Sequence, residues 1–353
     1  MNYIFALVAS FLIAVLLVPW VKKLSFAVGA IDRPEKNSRK IHKKTMARGG
    51  GLAIFAAFVI VTFFLVPERN LQYWGLLFAS SIVLIIGFID DINSLNPWIK
   101  LSAQVFAALC AFSFFGIKIE AVTNPIGQSF IFVDPNIVFS IYNHQIGINI
   151  IALLITTIWL VGMTNTMNFV DGIDGLSGGI AAIAAAIMFF LSLSPTVHQA
   201  QTAIISISLL GGCLGYLVYN FYPAKIFNGD SGAYFLGMSL GIIAIFSGAK
   251  LATAALVLGV PILDAIWAAV RRILSGRSPF SADRGHLHFL LLDVGFTQRQ
   301  TALIIYSLCI VFGVIALIAS PTQKILAIFA LVIIIILLLT VLTLTKRRKA
   351  QSS

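Results

Sequence analysis

Four short polar stretches set carboxylates, amides and imidazoles among glycines inside an otherwise apolar chain, and chemistry, if any, must come from them. They are Asp90-Asp91, Asn165 to Gly175 (N-T-M-N-F-V-D-G-I-D-G), Phe227 to Gly232 (F-N-G-D-S-G) and Asp283 to His288 (D-R-G-H-L-H). Adjacent carboxylates repel and persist where a cation or a donor offsets the repulsion. The plainer alternative for Asp90-Asp91 is a solvated pair capping the next helix. Asn165, Asn168, Asp171 and Asp174 recur every three residues, which predicts four oxygen-bearing side chains along one face of a tight helical turn. Hard divalent cations take oxygen ligands, and Mg2+ usually takes only one or two from protein, leaving the rest to phosphate and water. Gly172 and Gly175 permit close backbone approach. The alternative here is a polar turn capping the helix that follows.

Asp230 stands alone between glycines, as a helix cap or, with the Asn165–Gly175 loop on the same face, as a metal ligand. Lys100, nine residues beyond Asp91, is placed to hold a phosphate or to snorkel. Asn220 and Phe227 offer an amide and a ring for pairing with and stacking on a base. His286 and His288 share one face of an extended loop preceded by Arg271, Arg272 and Arg277. That arginine-rich setting, with Arg284 inside the motif, fits phosphate recognition better than metal ligation. Asp264, inside an apolar run, is a functional candidate or a partner for Arg271 or Arg272.

The elements that must position these groups are membrane spans. An apolar fraction of 59% with only 10% charged residues lies far outside soluble usage and predicts an all-α polytopic membrane protein. Eleven runs are near the length that crosses about 30 Å of hydrocarbon: 3–21, 49–66, 71–89, 101–115, 147–163, 176–193, 203–219, 233–246, 251–270, 301–318 and 325–344. The fourth and eighth are short and need flanking residues. The first lacks a basic n-region, so it reads as a span rather than a cleaved signal. With the N-terminus outside, the inner connections hold all of the 24 Lys and Arg except Arg69, Lys118, Lys250 and Lys324. The positive-inside rule then puts the N-terminus in the periplasm and the C-terminus and all four motifs in the cytoplasm. The net charge of +11 reports this topology and attraction to anionic lipid, not nucleic-acid binding. Cys110, Cys213 and Cys309 lie in apolar runs as small buried side chains. Apolar alternation around Asn124-Pro125-Ile126-Gly127 predicts a small outer β-hairpin within 116–146. The expected organisation is a single catalytic domain over 1–345 and a basic tail over 346–353.

The order Asp-Asp, N-x-x-N-x-x-D-G-x-D-G, x-G-D-x-G and His-x-His resembles the polyprenyl-phosphate N-acetylhexosamine-1-phosphate transferase superfamily, and within it the bacterial undecaprenyl-phosphate N-acetylglucosamine-1-phosphate transferases. Ser278-Pro279-Phe280, Asp283-Arg284, His286, His288, Gly295-Phe296-Thr297 and Arg299-Gln300 carry that likeness, as do Asp32, Pro34, Arg39, His42 and Gly49-Gly50-Gly51. The resemblance covers roughly residues 20 to 300. Two positions depart: Phe289 stands where bacterial members commonly have a further histidine, and Ala233 where they often have serine.

The resemblance implies transfer of sugar 1-phosphate from UDP-N-acetylglucosamine to undecaprenyl phosphate at the inner face of a bacterial cytoplasmic membrane, with release of UMP. This would be the first membrane step of a cell-surface polysaccharide. On this reading Asp230 and Asn168 hold Mg2+ (or Mn2+), and Asp90, Asp91, Asp171 and Asp174 are catalytic. Lys100, Asn165, Asn220, Phe227, Arg284, His286 and His288 bind substrate. Membrane lipids are further partners, and a homodimer is left open. Another UDP-N-acetylhexosamine as donor is one alternative. A secondary transporter is another, whose signs would be midplane polar sites, broken helices and inverted repeats.

Overall fold

The computed structural model describes residues 2–34, 44–119, 121–123, 130–132, 136–141, 144–195, 197–247, 251–276 and 285–352. Helix α1 (Asn2–Val28) leads into a two-residue ribbon of β1 (Ile31–Asp32) and β2 (Met46–Ala47), then α2 (Gly51–Leu65), α3 (Leu71–Ile92) and α4 (Pro97–Phe115). Strands β3 (Ala121–Thr123), β4 (Phe130–Phe132), β5 (Asn136–Ile141) and β6 (His144–Asn149) follow. The chain continues through α5 (Ile150–Val170), α6 (Leu176–Leu193), α7 (Ala200–Asn220), α8 (Gly229–Phe246), α9 (Leu251–Val257), α10 (Gly259–Leu274), α11 (Leu287–Val294), α12 (Gln298–Ile318) and α13 (Pro321–Ser352).

Local sequence explains the helix starts. Asn70 accepts from Tyr73 N at 2.9 Å, and Asn96 accepts from Trp98 N at 2.9 Å with Pro97 opening the helix. Thr297 and Gln300 form a reciprocal capping box.

The polytopic all-α reading holds, but the count changes. Among the described residues nine helices are long and apolar enough to cross a membrane. The short fourth and eighth runs do recruit flanking residues, becoming α4 and α8. The second run yields only the 15-residue α2, and the ninth breaks at Leu258 into α9 and α10, bent by 77°. The second of these helices has two unlike sides. In α10, Ile266, Trp267, Val270, Ile273 and Leu274 are exposed on one side while Asp264, Ala268 and Arg272 are buried on the other. A helix with one charged face cannot be wrapped by lipid all round. The segment between α4 and α5 forms two antiparallel ribbons, β3–β4 and β5–β6, where one hairpin was expected.

The centre of the bundle is α8, 83% buried over its most apolar stretch, with α6 and α7 at 72%; α1 and α13, at 22%, are peripheral. Ile4, Phe5, Leu12, Leu16 and Trp20 of α1 point outward, as expected where lipid tails are the solvent. Since lipid removes the hydrophobic drive between helices, close approach through small residues sets the packing. A Cβ on Gly87 of α3 would lie 2.5 Å from Ser231 N of α8, and one on Gly237 of α8 would lie 2.5 Å from Thr164 Cα of α5. Helices α3, α5 and α8 are thereby locked together at the end of the bundle where their carboxylates emerge.

Candidate active site

The first turn of α8 organises the site. Asp230 accepts from Lys100 Nζ (3.1 Å), from Asn168 Nδ2 (3.1 Å) and from the Tyr234 hydroxyl (3.1 Å). Lys100 Nζ also donates to Asp90 Oδ2 at 3.2 Å, so one ammonium bridges two carboxylates from different helices. Asp90 is fixed from its other oxygen by Leu95 N at 2.7 Å. Like charges this close are tolerable only with such a cation between them.

Asp91, one residue on, does something different. Its Oδ1 accepts from Asp230 N (2.9 Å), and its Oδ2 accepts from Ser231 N (3.2 Å) and Ser231 Oγ (2.7 Å). Asp91 is therefore the N-terminal cap of α8, supplied from α3. It satisfies otherwise unpaired amides and places a negative charge at the positive end of the dipole. Gly229, with φ of 76°, lets the backbone turn over this carboxylate.

The three-residue rhythm of Asn165, Asn168, Asp171 and Asp174 does not give one shared face. Helix α5 ends at Val170 with Asp171 as its C-cap, so the last two residues follow a turn. Each side chain goes its own way. Asn165 Nδ2 donates to Gln104 Oε1 (2.6 Å), and Asn168 reaches Asp230. Asp171 Oδ1 accepts from Ser177 Oγ (2.5 Å), and Asp174 Oδ2 accepts from Ala224 N (2.9 Å). Withdrawal from water raises the Asp171 carboxyl to about 7; the Ser177 hydroxyl and the Arg48 charge oppose the rise, and the charges of Asp230 and Asp174 add to it.

Asn220 differs from the base-pairing amide expected of it. It is 3% exposed, with Oδ1 accepting from Gly175 N (3.0 Å) and Nδ2 donating to Ile226 O (2.9 Å). Both ends of the amide are spent stapling the 171–175 loop to the 221–228 loop. Phe227 is partly exposed beside this staple; its N donates to Ala47 O and its O accepts from Gly50 N, both at 2.9 Å.

The histidine motif packs behind the same loop. His286 Nδ1 is 2.9 Å from Asp264 Oδ2 and its Nε2 is 3.2 Å from Arg272 Nη2; Asp264 Oδ1 also accepts from Leu287 N at 2.7 Å. All three side chains are buried. The main partner of Asp264 is thus His286, not an arginine, while Arg271 donates to Gly285 O. Paired in this way, Asp264 ties α10 to the His loop. His286 stacks on Phe169 and on His288. His288, 1% exposed, presses its ring against Gly172, and its Nε2 has no hydrogen-bond partner among the described residues. Burial lowers its pKa to about 4, so the ring is neutral near pH 7. Both imidazoles therefore back the Asn165–Gly175 loop, where exposed phosphate contacts were expected. Asp283 and Arg284 of the motif, with Arg277, Arg39 and His42, lie outside the described residues.

The structure thus gathers Asp90, Asp91, Lys100, Asn168, Asp171, Asp174, Asn220, Phe227, Asp230, His286 and His288 at one end of the bundle, with Asn165 one helical turn inward. Sequence reasoning passed over Tyr234, Ser177, Ser231 and Arg48. Tyr234 had a signal, since it stands four residues after Asp230 and shares its helix face; the serines had none.

Known proteins resemble this chain in sequence. The profile of glycosyl transferase family 4 covers residues 73–248, which include Asp90, Asp91, the Asn165–Gly175 stretch and Asp230. A protein of Bacillus subtilis (strain 168) named as a probable undecaprenyl-phosphate N-acetylglucosaminyl 1-phosphate transferase is 31% identical over 337 residues, covering 93% of this chain and 88% of its own. A decaprenyl-phosphate N-acetylglucosaminephosphotransferase of Mycobacterium tuberculosis (strain ATCC 25618 / H37Rv) is 32% identical over 319 residues, covering 81% and 74%. An undecaprenyl-phosphate alpha-N-acetylglucosaminyl 1-phosphate transferase of Thermotoga maritima is 30% identical over 330 residues, covering 93% and 91%. With relatives aligned over nearly its whole length and a bundle built to hold these carboxylates, the chain belongs to glycosyl transferase family 4, as a multi-pass membrane enzyme of the sugar-phosphate transferase type.

Proposed function

We propose that this enzyme transfers N-acetylglucosamine 1-phosphate from UDP-N-acetylglucosamine to undecaprenyl phosphate, at the cytoplasmic face of a bacterial inner membrane, as the first membrane step of a cell-surface polysaccharide. The observation that carries the reading is the ammonium of Lys100 held at 3.2 and 3.1 Å between Asp90 and Asp230, from three different helices, at the bundle end. One reactant is water-borne and the other is anchored in a leaflet, so a site at the end of membrane spans serves both. The names of the relatives support the acceptor class, undecaprenyl in some and decaprenyl in others.

In the reaction an oxygen of the lipid phosphate forms a bond to the sugar-bearing phosphorus of the donor. The diphosphate bridge breaks, and UMP leaves with the bridging oxygen. A phosphate monoester, with a second pKa of about 6, is already mostly dianionic at neutral pH. The acceptor therefore needs positioning and relief from repulsion more than it needs a base. Lys100 and Asp90 orient the acceptor phosphate, while Asp91 holds the first turn of α8 so that Asp230 faces it. Asp171 and Asp174 shape the donor side of the loop, Phe227 offers its ring to the uracil, and Arg284 contributes charge from the motif before α11. Asn165, Asn220, His286 and His288 act one layer back, through the loops they fasten.

Magnesium (or manganese) fits the donor set. Asp90, Asp91, Asp171, Asp174 and Asp230 bring hard carboxylate oxygens to one end of the bundle, and Asn168, which turns its Nδ2 to Asp230, carries an amide oxygen beside it. That suits a cation that keeps positions for water and phosphate. Asp230 and Asn168 would hold it, and when bound it neutralises charge on the transferring phosphoryl group. The break between α9 and α10 is one sign expected of a transporter, but Asp264 beside it is consumed by His286, and the other carboxylates gather at helix ends.

The test is Asp230→Asn, which keeps size and removes charge. UMP release should fall on the order of 10²-fold or more. A folded variant turning over near the normal rate removes Asp230 from this role.

A further inference from the structure

Among the described residues, Arg48 is a cation of this end of the bundle to which the roles above give no task. The β1–β2 ribbon is wired to the Asp230 helix from both sides of Arg48: Phe227 N donates to Ala47 O (2.9 Å), Gly50 N to Phe227 O (2.9 Å) and Gly51 N to Asn228 O (3.3 Å). On its other flank Arg48 N donates to Ala30 O (2.8 Å), and Ser25 Oγ donates to Arg48 O (2.5 Å). Gly51 and Gly232 lie so close that a Cβ on either would meet the other's backbone. The backbone of Arg48 is therefore fixed beside the chain that leads directly into Asp230.

The guanidinium pairs with Asp32 at 3.1 Å, the side chain keeps 30% exposure, and its charge is felt at the Asp171 carboxylate. An arginine needed only to pin the ribbon would be redundant with those backbone bonds. The balance of charge supplies the reason for it. Asp90, Asp91, Asp171, Asp174 and Asp230 meet at this end, and Lys100 offsets them from α4. A diphosphate and a monophosphate must still come within bonding distance of each other there. Asp32 engages one edge of a fork that carries five N–H donors, a geometry that matches phosphoryl oxygens.

We propose that Arg48 is a phosphate-binding residue of this site, held in position by Asp32, and that it takes phosphoryl oxygens of one of the two substrates. This rests on the transferase reading, and the donor diphosphate and the lipid monophosphate are the two sources of that chemistry. The experiment measures KM for each substrate separately, with the other saturating, in purified wild-type protein and in Arg48→Gln, Arg48→Lys and Asp32→Asn. Arg48→Gln should raise one KM by on the order of 10-fold or more and leave the other within about twofold; which one rises identifies the source. Arg48→Lys should recover part of the loss, and Asp32→Asn should raise the same KM by less. Should Arg48→Gln fail to fold, Arg48→Lys carries the test, with the same single KM raised to a smaller extent. Wild-type values for both substrates overturn the proposal. So does an equal rise in both that tracks a lowered melting temperature and is not relieved by lysine. Absence of turnover in the wild type is a different result: it sinks the transferase reading, and this inference with it.

Discussion

Asp90 and Asp91 are adjacent in sequence but should respond in opposite ways to the loss of one charge. Replacing either by asparagine changes one oxygen to NH2. At Asp91 both oxygens accept from α8, Oδ1 from Asp230 N and Oδ2 from Ser231 N and Oγ. Whichever way the amide is turned, its NH2 meets a backbone N–H in a buried position. One donor then goes unpaired, at roughly 1–3 kcal/mol, and the charge at the helix N-terminus is lost, at roughly 0.5–1 kcal/mol. Asp91→Asn should therefore destabilise the protein by about 1.5–4 kcal/mol and lower turnover by letting Asp230 move. At Asp90 the amide oxygen can keep Leu95 N, and the NH2 faces Lys100, whose long side chain is 22% exposed and can swing away. Asp90→Asn should cost about 1 kcal/mol or less yet reduce turnover strongly. Thermal unfolding of the detergent-purified variants, run beside UMP release, separates the two. An Asp91→Asn protein as stable as wild type but inactive would show that Asp91 acts chemically and would refute the capping argument.

Gly172→Ala would drive a methyl group into the ring of His288, so we expect a loss of about 1–3 kcal/mol, partly recovered in the same background by His288→Ala; an unaltered melting temperature in Gly172→Ala would contradict that packing. The same histidine makes stability pH-dependent. Its pKa is about 4 in the folded protein against 6.5 unfolded. Between those values the unfolded chain binds more protons, so stability should fall by about 3 kcal/mol as pH drops from 6.5 towards 4. His288→Phe should remove that part of the slope, as read from unfolding at a series of pH values.

How much of this was legible beforehand depends on the kind of interaction. Apolar runs, flanking capacity and the positions of glycines and carboxylates are local, and they gave the helices and the polar ends that meet. Period-three spacing misled because it presumed that the helix of Asn165 and Asn168 continues; it ends at Val170, and Asp171 and Asp174 are turned away by the loop. The break at Leu258 was hidden because hydropathy averages over a face, and only the burial of Asp264 and Arg272 reveals that α10 has two unlike sides. Pairings across long sequence separations were beyond reach. No spacing rule links Asp91 to the amides of residues 230 and 231, or Asp264 to His286. Asn220 was credited with a substrate because its residue type allows one; the competing demand, two buried backbone groups in need of partners, is visible only in three dimensions.

The central claim is that phosphoryl chemistry at this carboxylate and lysine cluster joins a nucleotide sugar to a lipid phosphate. Purified protein incubated with UDP-N-acetylglucosamine and undecaprenyl phosphate, with both nucleotide and lipid products followed by mass spectrometry, tests it most directly. UMP and undecaprenyl-diphosphate-N-acetylglucosamine should form in equal amounts, with both lost in Asp230→Asn. Release of UDP in place of UMP, or nucleotide without a lipid diphosphate sugar from any UDP-N-acetylhexosamine offered, would contradict it.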